Sequence, residues 1–450
     1  MKLLGLVFCA FALGAPLAAA QSVLPDNTAV VVTTDGVWVP DTQSNQPLVH
    51  IAPTQFPGAP SAFVRPAIEW HRSSDSLLVT TGAQLFQVTL TSLAPPTYTV
   101  VEITPASSAP LDLWDIDVHP GSGEIFLLDQ TFNEVSRYAP PFALGMQPDL
   151  VLPVPGTSRA MAIDSRSIPP SVVVTETSSL TRVDFAGQLS QVTEVNGTRG
   201  VDADPQVLGD GAVFMVAPSA NQVSRAASSP NLVVSMNLSG FCTPLAIKPE
   251  DVEWNPLKNR AYVIASDGIN PAPSCQSQVP AVGPNHVISF PIAQAPPVVV
   301  PKLITHGSGS GITGTQADLT LVLGDFAFVS PYGEACVAGS PSALRLQAPF
   351  APDLGFPTHA IELSNASPNA LVFALAGFSP AQLPFGFGCS LFVQPDFIKW
   401  IGTTDAQGEF SIDVPLPPGV IAGYEAFLQM AVPSGGAVAL SGGLQVHYGE

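Results

Sequence analysis

The chain has 450 residues, with 47 Pro and 37 Gly against only 15 Lys plus Arg, and a formal net charge of -20. This acidity excludes nucleic acid as a partner, because phosphate binding wants a basic surface. High net charge alone would suit disorder, but 46% hydrophobic residues argue for a packed interior.

The N-terminus reads as an export signal over residues 1–20. Lys2 supplies the positive start, Leu3 to Leu17 is mostly apolar, and Ala18-Ala19-Ala20 fits small-residue cleavage before Gln21. The apolar run is too short to span a bilayer comfortably, and no later stretch reads as a transmembrane helix. The expected location is therefore secreted or periplasmic, with cell-surface association as a further option.

Residues 21–27 form a lead-in. Ala29-Val30-Val31-Val32 and Val37-Trp38-Val39, separated by Thr34-Asp35-Gly36, read as strand, turn and strand, and Leu48 to Ile51 adds a third strand. A recurring unit then begins. It opens on a hydrophobic residue and an acid, turns, and enters an apolar strand. The clearest copy is Ile116-Asp117-Val118-His119-Pro120, then Gly121-Ser122-Gly123, then Ile125 to Leu128. Other openings are Ile68-Glu69, Ile163-Asp164, Ala203-Asp204 and Val252-Glu253. Each unit holds three or four short strands, and the openings recur about every 40 to 50 residues, the period of propeller blades. In that architecture radial repetition leaves only short, protected strand edges. The predicted fold is all-β, with a propeller of about six blades over residues 21–300. Val298-Val299-Val300 is a candidate to complete a blade begun near the mature N-terminus.

Residues 301–316, with Gly307-Ser308-Gly309-Ser310-Gly311, read as a Gly/Ser-rich linker. Residues 317–450 read as a small β-sandwich beginning with Asp318 to Leu323. Its further strands are expected at Ala343–Leu346, Ala360–Leu363, Ala370–Ala374, Ser390–Val393, Phe410–Val414 and Ala437–Leu440. Tyr424 to Met430 reads as a strand, with a short helix as the alternative.

Cys9 lies in the signal, leaving Cys242, Cys275, Cys336 and Cys389. An even number in an exported chain suggests two disulfides. Sequence proximity and the domain division favour Cys242–Cys275 and Cys336–Cys389. A four-cysteine metal site is the lesser alternative, as no Cys-x-x-Cys pair is present.

Two resemblances attach to these motifs. The units over residues 28–300, with third strands such as Asn133-Glu134-Val135-Ser136-Arg137 and Asn221-Gln222-Val223-Ser224-Arg225, resemble bacterial exported β-propellers of the YVTN, NHL and SMP-30-like groups. Members of those groups include binding proteins, scaffolds and hydrolases. The ordered set Tyr332-Gly333-Glu334-Ala335-Cys336, Gly388-Cys389-Ser390-Leu391, Thr404 to Gly408 and Leu440 to Leu444 resembles the C-terminal module of uncharacterised planctomycete-type secreted proteins. That resemblance strengthens the Cys336–Cys389 pairing.

The candidate site is the set Glu69, Asp117, Asp164, Asp204 and Glu253. On inner strands, these acids could approach a central channel and hold Ca²⁺, which could polarise a lactone or phosphoester. The favoured alternative is structural: an acid beside a turn accepts backbone N–H bonds, and recurrence in every unit suits architecture better than catalysis. His119 and His71 sit in turn settings, and no His-x-His or His-Glu-x-x-His pattern occurs. Trp38, Trp70, Trp114 and Trp254 suit packing between blades, with an aromatic platform for carbohydrate as the alternative. Trp400 belongs to the second domain as core or rim. The functional expectation is an exported noncatalytic binding or structural protein whose partner is a protein or a carbohydrate. The alternative is a Ca-assisted, lactonase-like hydrolase that uses acids at the propeller centre.

Overall fold

The structure is a computed structural model. It describes residues 23–25, 27–41, 43–44, 46–119, 122–164, 171–176, 179–194, 200–203, 213–217, 222–226, 233–237, 249–255, 260–265, 285–291, 302–304, 311–323, 328–332, 335–336, 344–348, 358–385, 389–415, 424–434 and 437–448. The export signal, Asp204, Cys242, Cys275 and Val298 to Val300 lie outside the described residues.

The Val-, Thr- and Pro-rich chain folds almost wholly into strands joined by tight turns, as β-branched residues favour a pleated surface. Among the described residues, six four-stranded antiparallel sheets are built from successive stretches. Their innermost strands are Ala67–His71, Leu113–Val118, Met161–Asp164, Val201–Ala203, Pro249–Asn255 and Asp318–Val322. Each lies against the next in cyclic order, and the last lies against the first. The result is a β-propeller.

Packing between sheets explains the apolar second strand of each unit. Ser76–Thr80, Ile125–Asp129 and Ser171–Thr175 are buried at every position, because neighbouring blades cover both faces. Val30 and Ile51 of the first blade pack with Ile68 and Val79 of the second. Leu78 then meets Ile116 and Leu127, and Phe126 and Leu128 meet Ile163 and Val172. Val173 meets Val201. Tyr262 and Ile264 return to Val31 and Trp38. Each fully buried Val, Leu, Ile or Phe contributes about 1.5–3 kcal/mol relative to exposure.

Closure differs from the sequence expectation. Asp318–Val322, placed above in the C-terminal domain, is the innermost strand of the first blade, paired antiparallel with Thr28–Thr33. The N-terminal strand would otherwise present an unpaired edge at the axis, and a distant segment satisfies it. Part of the expected linker is also built into the propeller. Lys302–Leu303 pairs with His286–Pro291, and Ile312 joins the core between the sixth and first blades. Thr315 donates its N–H to Thr34 Oγ1 at 3.0 Å and accepts the Thr34 N–H at its carbonyl at 3.0 Å. The centre of the Gly/Ser tract, residues 305–310, lies outside the described residues.

The remaining strands form a sandwich. One sheet runs in the order Phe328–Tyr332, Gly443–Tyr448, Tyr424–Ser434, Leu371–Gly377, Phe397–Thr403, with Ala437–Leu440 also paired to Tyr424–Ser434. It faces a three-stranded sheet of Arg345–Gln347, Thr358–Ser364 and Phe410–Pro415. Val372, Met430 and Val446 pack against Leu346, Ile361 and Val414 between them. The other face of the larger sheet is covered by the hairpin Pro380–Phe385 and Cys389–Val393, with Leu375, Ala431 and Leu440 beneath it. The Cys336–Cys389 disulfide joins this hairpin to the segment that bridges Leu440, with Cα atoms 5.2 Å apart. Tyr424 to Met430 is strand, not helix. A polar contact ties sandwich to propeller: Arg72 Nη2 donates to His447 Nε2 at 2.7 Å, and His447 Nδ1 lies 3.1 Å from Glu425 Oε1. Among the described residues no helix is long and apolar enough to cross a membrane, which says nothing about crossing by strands.

Candidate functional site at the propeller axis

Six innermost strands converge on the axis, each with one side of its backbone paired inside its own blade. The other side presents N–H groups that no strand satisfies, and buried amides of this kind need acceptors. The repeated acids supply them. Asp115 Oδ1 accepts the N–H of Ile116 at 2.9 Å while its Oδ2 accepts that of Met161, on the next blade, at 2.6 Å. Asp117 repeats the arrangement with Val118 and Ile163, both at 2.6 Å. Asp202 does so with Ala203 and Trp254, again both at 2.6 Å. Asp251 Oδ2 accepts from Leu319 at 3.2 Å, and Asp318 Oδ2 accepts from Ile68 at 2.7 Å. Where Thr320 replaces an acid, its Oγ1 accepts the Trp70 N–H at 3.1 Å and donates to Glu69 Oε1 at 3.3 Å. The carboxylates thus stitch neighbouring blades together. Asp115, Asp117 and Asp202 each spend one oxygen on the amide of the following residue and the other on an amide of the next blade.

Of the five acids singled out in the sequence, the axis brings together Glu69, Asp117 and Glu253. Asp164 is turned aside: it is 2% exposed and accepts from Arg182 Nη2 at 2.7 Å. Asp204 lies outside the described residues. The structure adds Asp115, Asp202, Asp251 and Asp318. The signal that could have found the first three is acids or polar residues at i and i+2, since alternate residues share one strand face. Asp115/Asp117 and Asp251/Glu253 show it directly.

The acids perturb one another. Burial, then the charges of Asp117 and Asp202, holds the Glu69 carboxyl well above its ordinary value. Burial, then Glu69 and Asp202, does the same to Glu253. Burial pushes Asp117 up to about 7 against the pull of its two amide bonds. Burial and the Asp318 charge raise Asp115. Asp251 is raised by burial, then by the charge of Asp318 and a side-chain hydrogen bond with it. Asp318 itself rises to about 6, burial outweighing three hydrogen bonds. Like charges in one desolvated site cannot all ionise, so the ring retains protons near neutral pH.

Gly200 is required beside this pair. A Cβ there would fall 2.6 Å from Asp251 Cα. Gly200→Ala should therefore force Val201–Ala203 and Pro249–Asn255 apart and lower stability by about 1–3 kcal/mol. Denaturant unfolding measures this, and a wild-type midpoint would contradict the close approach.

Several of these histidines and tryptophans have structural partners. His119 Nδ1 accepts the Ser122 N–H at 3.1 Å, and burial lowers its imidazole to about 4. His71 bridges Ser74 Oγ and the Gly123 carbonyl, the latter at 2.9 Å. Trp38 donates to Thr33 Oγ1 at 3.0 Å and stacks on His50. Trp70 and Trp254 are buried, and the Arg65 guanidinium lies 4.6 Å above the Trp114 ring. Trp400 is 57% exposed on an edge strand, a rim position. Among the described residues, no three His, Cys, Asp or Glu side chains are placed so as to hold a metal ion.

Fold and axis together define an all-β protein: a β-propeller, its blades joined by inner-edge carboxylates, followed by a sandwich. No protein-family model and no curated protein matches the chain. Among solved structures, a protein of unknown function from Bacteroides caccae is similar over 66% of this chain and 98% of its own, at 9% identity and a TM-score of 0.41. A chain of a nidogen/laminin complex is similar over 66% of this chain and 99% of its own, at 13% identity and a TM-score of 0.41.

Proposed function

We propose that the chain is an exported, noncatalytic binding or structural protein. The observation that carries this reading is that Asp115, Asp117 and Asp202 spend both carboxylate oxygens on backbone amides. A carboxylate so engaged has little freedom to act as ligand, base or nucleophile. The partner class is a protein or a carbohydrate. An immobilised panel of purified extracellular proteins and polysaccharides tests the reading. Saturable binding to at least one member, with no turnover of lactone or phosphoester substrates, is expected. Absence of binding across the panel counts against it.

A second reading, a Ca-assisted lactonase-like hydrolase, is favoured by Glu253. Its carboxyl faces the charges of Glu69, Asp117 and Asp202 yet accepts no hydrogen bond from the described residues. Under this reading Ca²⁺ would raise the melting temperature and support lactone turnover, and Glu253→Gln would abolish both. Neither effect is expected if the acids are architectural.

A further inference from the structure

The sandwich contains a cavity that its core does not fill. It lies between the sheets where the three-stranded sheet stops short of the far strands of the larger one. Its volume is ≈ 100 Å³, and its walls include Ala374 and Ala376 on Leu371–Gly377, Ile361 on the facing sheet, Met430 and Tyr448. The reason it stays open is visible in the sequence. Leu371–Gly377 presents alanines where Val or Leu would close the space, and Met430 adapts its shape to what lies beside it.

Among the described wall residues, which also include Gln429 and Tyr448, Lys399 brings a charge. Lys399, half-buried on the edge strand Phe397–Thr403, lines the cavity. Among the described residues it forms no ion pair and no hydrogen bond, although the protein carries a net charge of -20. Its chain register explains the position: Phe397, Lys399 and Ile401 turn inward, while Ile398 and Trp400 are 65% and 57% exposed on the opposite face. Behind Tyr448, His359 is 4% exposed, with both ring nitrogens unpartnered, and packs edge-to-face on the tyrosine ring at 5.6 Å. Buried polar groups usually have partners; the His359 imidazole behind the Tyr448 wall has none, and the half-buried Lys399 brings an unpaired cation to the edge of the same space, which together point to a ligand with a polar end.

We propose that this cavity binds a small apolar molecule bearing one anionic group, an acyl carboxylate, with its tail between Ala374, Ala376 and Met430 and its carboxylate at Lys399. A cavity of about 150 Å³ lined by apolar side chains takes benzene. The smaller space here takes roughly four carbon atoms, with longer tails leaving through the open side. Charge selects the head group: an ammonium would meet Lys399 unfavourably, and a neutral alcohol would leave it unpaired. The site belongs to the sandwich and stands whether or not the propeller binds a macromolecule.

Isothermal titration of the full chain with hexanoate, hexanol and hexylamine tests the assignment. Hexanoate should bind most tightly and hexylamine least. Lys399→Met keeps the apolar stem and removes the charge, so it should weaken hexanoate at least tenfold and leave hexanol unchanged. Ala374→Leu fills the cavity and should abolish both. If that variant does not fold, Lys399→Met alone decides. Binding of none of the three ligands, equal loss of hexanoate and hexanol in Lys399→Met, or undiminished binding in a folded Ala374→Leu protein would overturn the proposal. Self-association of the wild type that Ala374→Leu removes would assign the space to a second copy instead and would equally overturn it.

Discussion

The melting temperature should fall as pH rises from 6.5 to 8.5. The axial carboxyls have folded pKa values above their unfolded ones, so the stability linked to them is fully present below about pH 4 and is lost as pH rises through the folded values. Asp117, at about 7 in the folded protein, titrates inside this window. Between pH 6.5 and 8.5 it contributes about 0.8 kcal/mol of loss, from ~1.4 kcal/mol per pH unit while the folded carboxyl still holds its proton, the larger part of its linked stability having gone between about pH 4 and 6.5. Glu69, Asp115, Asp251 and Glu253 are raised in the same direction. Asp318, at about 6, has largely ionised before the window opens. The opposing groups are His119, His286 and His359, each lowered to about 4 by burial. Their linked stability is present above about 6.5 and lost as pH falls toward 4, so they are nearly silent from 6.5 to 8.5 and act only below it. Between about pH 4 and 6.5 the six raised carboxyls outnumber the three lowered histidines, so their summed contribution should already fall from about pH 4 upward and continue to fall above 6.5. Scanning calorimetry across this range reads it directly. A flat or rising melting temperature above pH 6.5 would mean that the ring does not hold its protons.

Asp251→Asn and Asp117→Leu should have opposite consequences. Burial and the neighbouring Asp318 hold the Asp251 carboxyl well above its ordinary value, which favours its protonated form, and its Oδ2 accepts the Leu319 N–H. Asn reproduces this pattern, with its amide nitrogen as donor and its oxygen as acceptor. The variant should match the wild type at pH 5 and exceed it at pH 8.5, because one ionisable member of the crowded ring is gone. Asp117→Leu removes the acceptor of both Val118 and Ile163. Each orphaned buried amide costs about 1–3 kcal/mol. At pH 5 charge repulsion at this site is already relieved by protonation, so the lost acceptors dominate, and the variant should be less stable by about 2 kcal/mol or more. Chemical denaturation of the variants at the two pH values separates the terms. Equal destabilisation by both substitutions at pH 5 would show that the two amides accepted by Asp117 do not set the difference between these sites.

Much of the propeller was legible because blade packing writes itself along the chain. A second strand covered on both faces must be apolar throughout, as in Ile125 to Leu128, and the turn before it must carry Gly or Asp. The sandwich was legible in part. Thr358–Ser364 and Phe410–Pro415 alternate in burial and could be read. Phe397–Thr403 could not, because Ile398 and Trp400 lie exposed where a strand pattern would bury them. Closure of the first blade was missed for a different reason. Asp318–Val322 pairs with Thr28–Thr33 from beyond the other five blades, and local composition says nothing about which distant edge a strand completes.

The sequence alone determined that this protein is all-β and built on a repeated strand unit, because hydrophobic periodicity and turn chemistry act over a few residues. It also marked the inner strand of each repeat by its acid. Only the tertiary structure decided what those acids do. Asp115 and Asp117 sit two residues apart on one strand, yet the amides of Met161 and Ile163 that they satisfy belong to the next blade. The mutual perturbation of Asp251 and Asp318 depends on two strands that meet only when the ring closes. Desolvation and mutual repulsion are properties of that closed axis, and they arise where distant segments are brought together out of water.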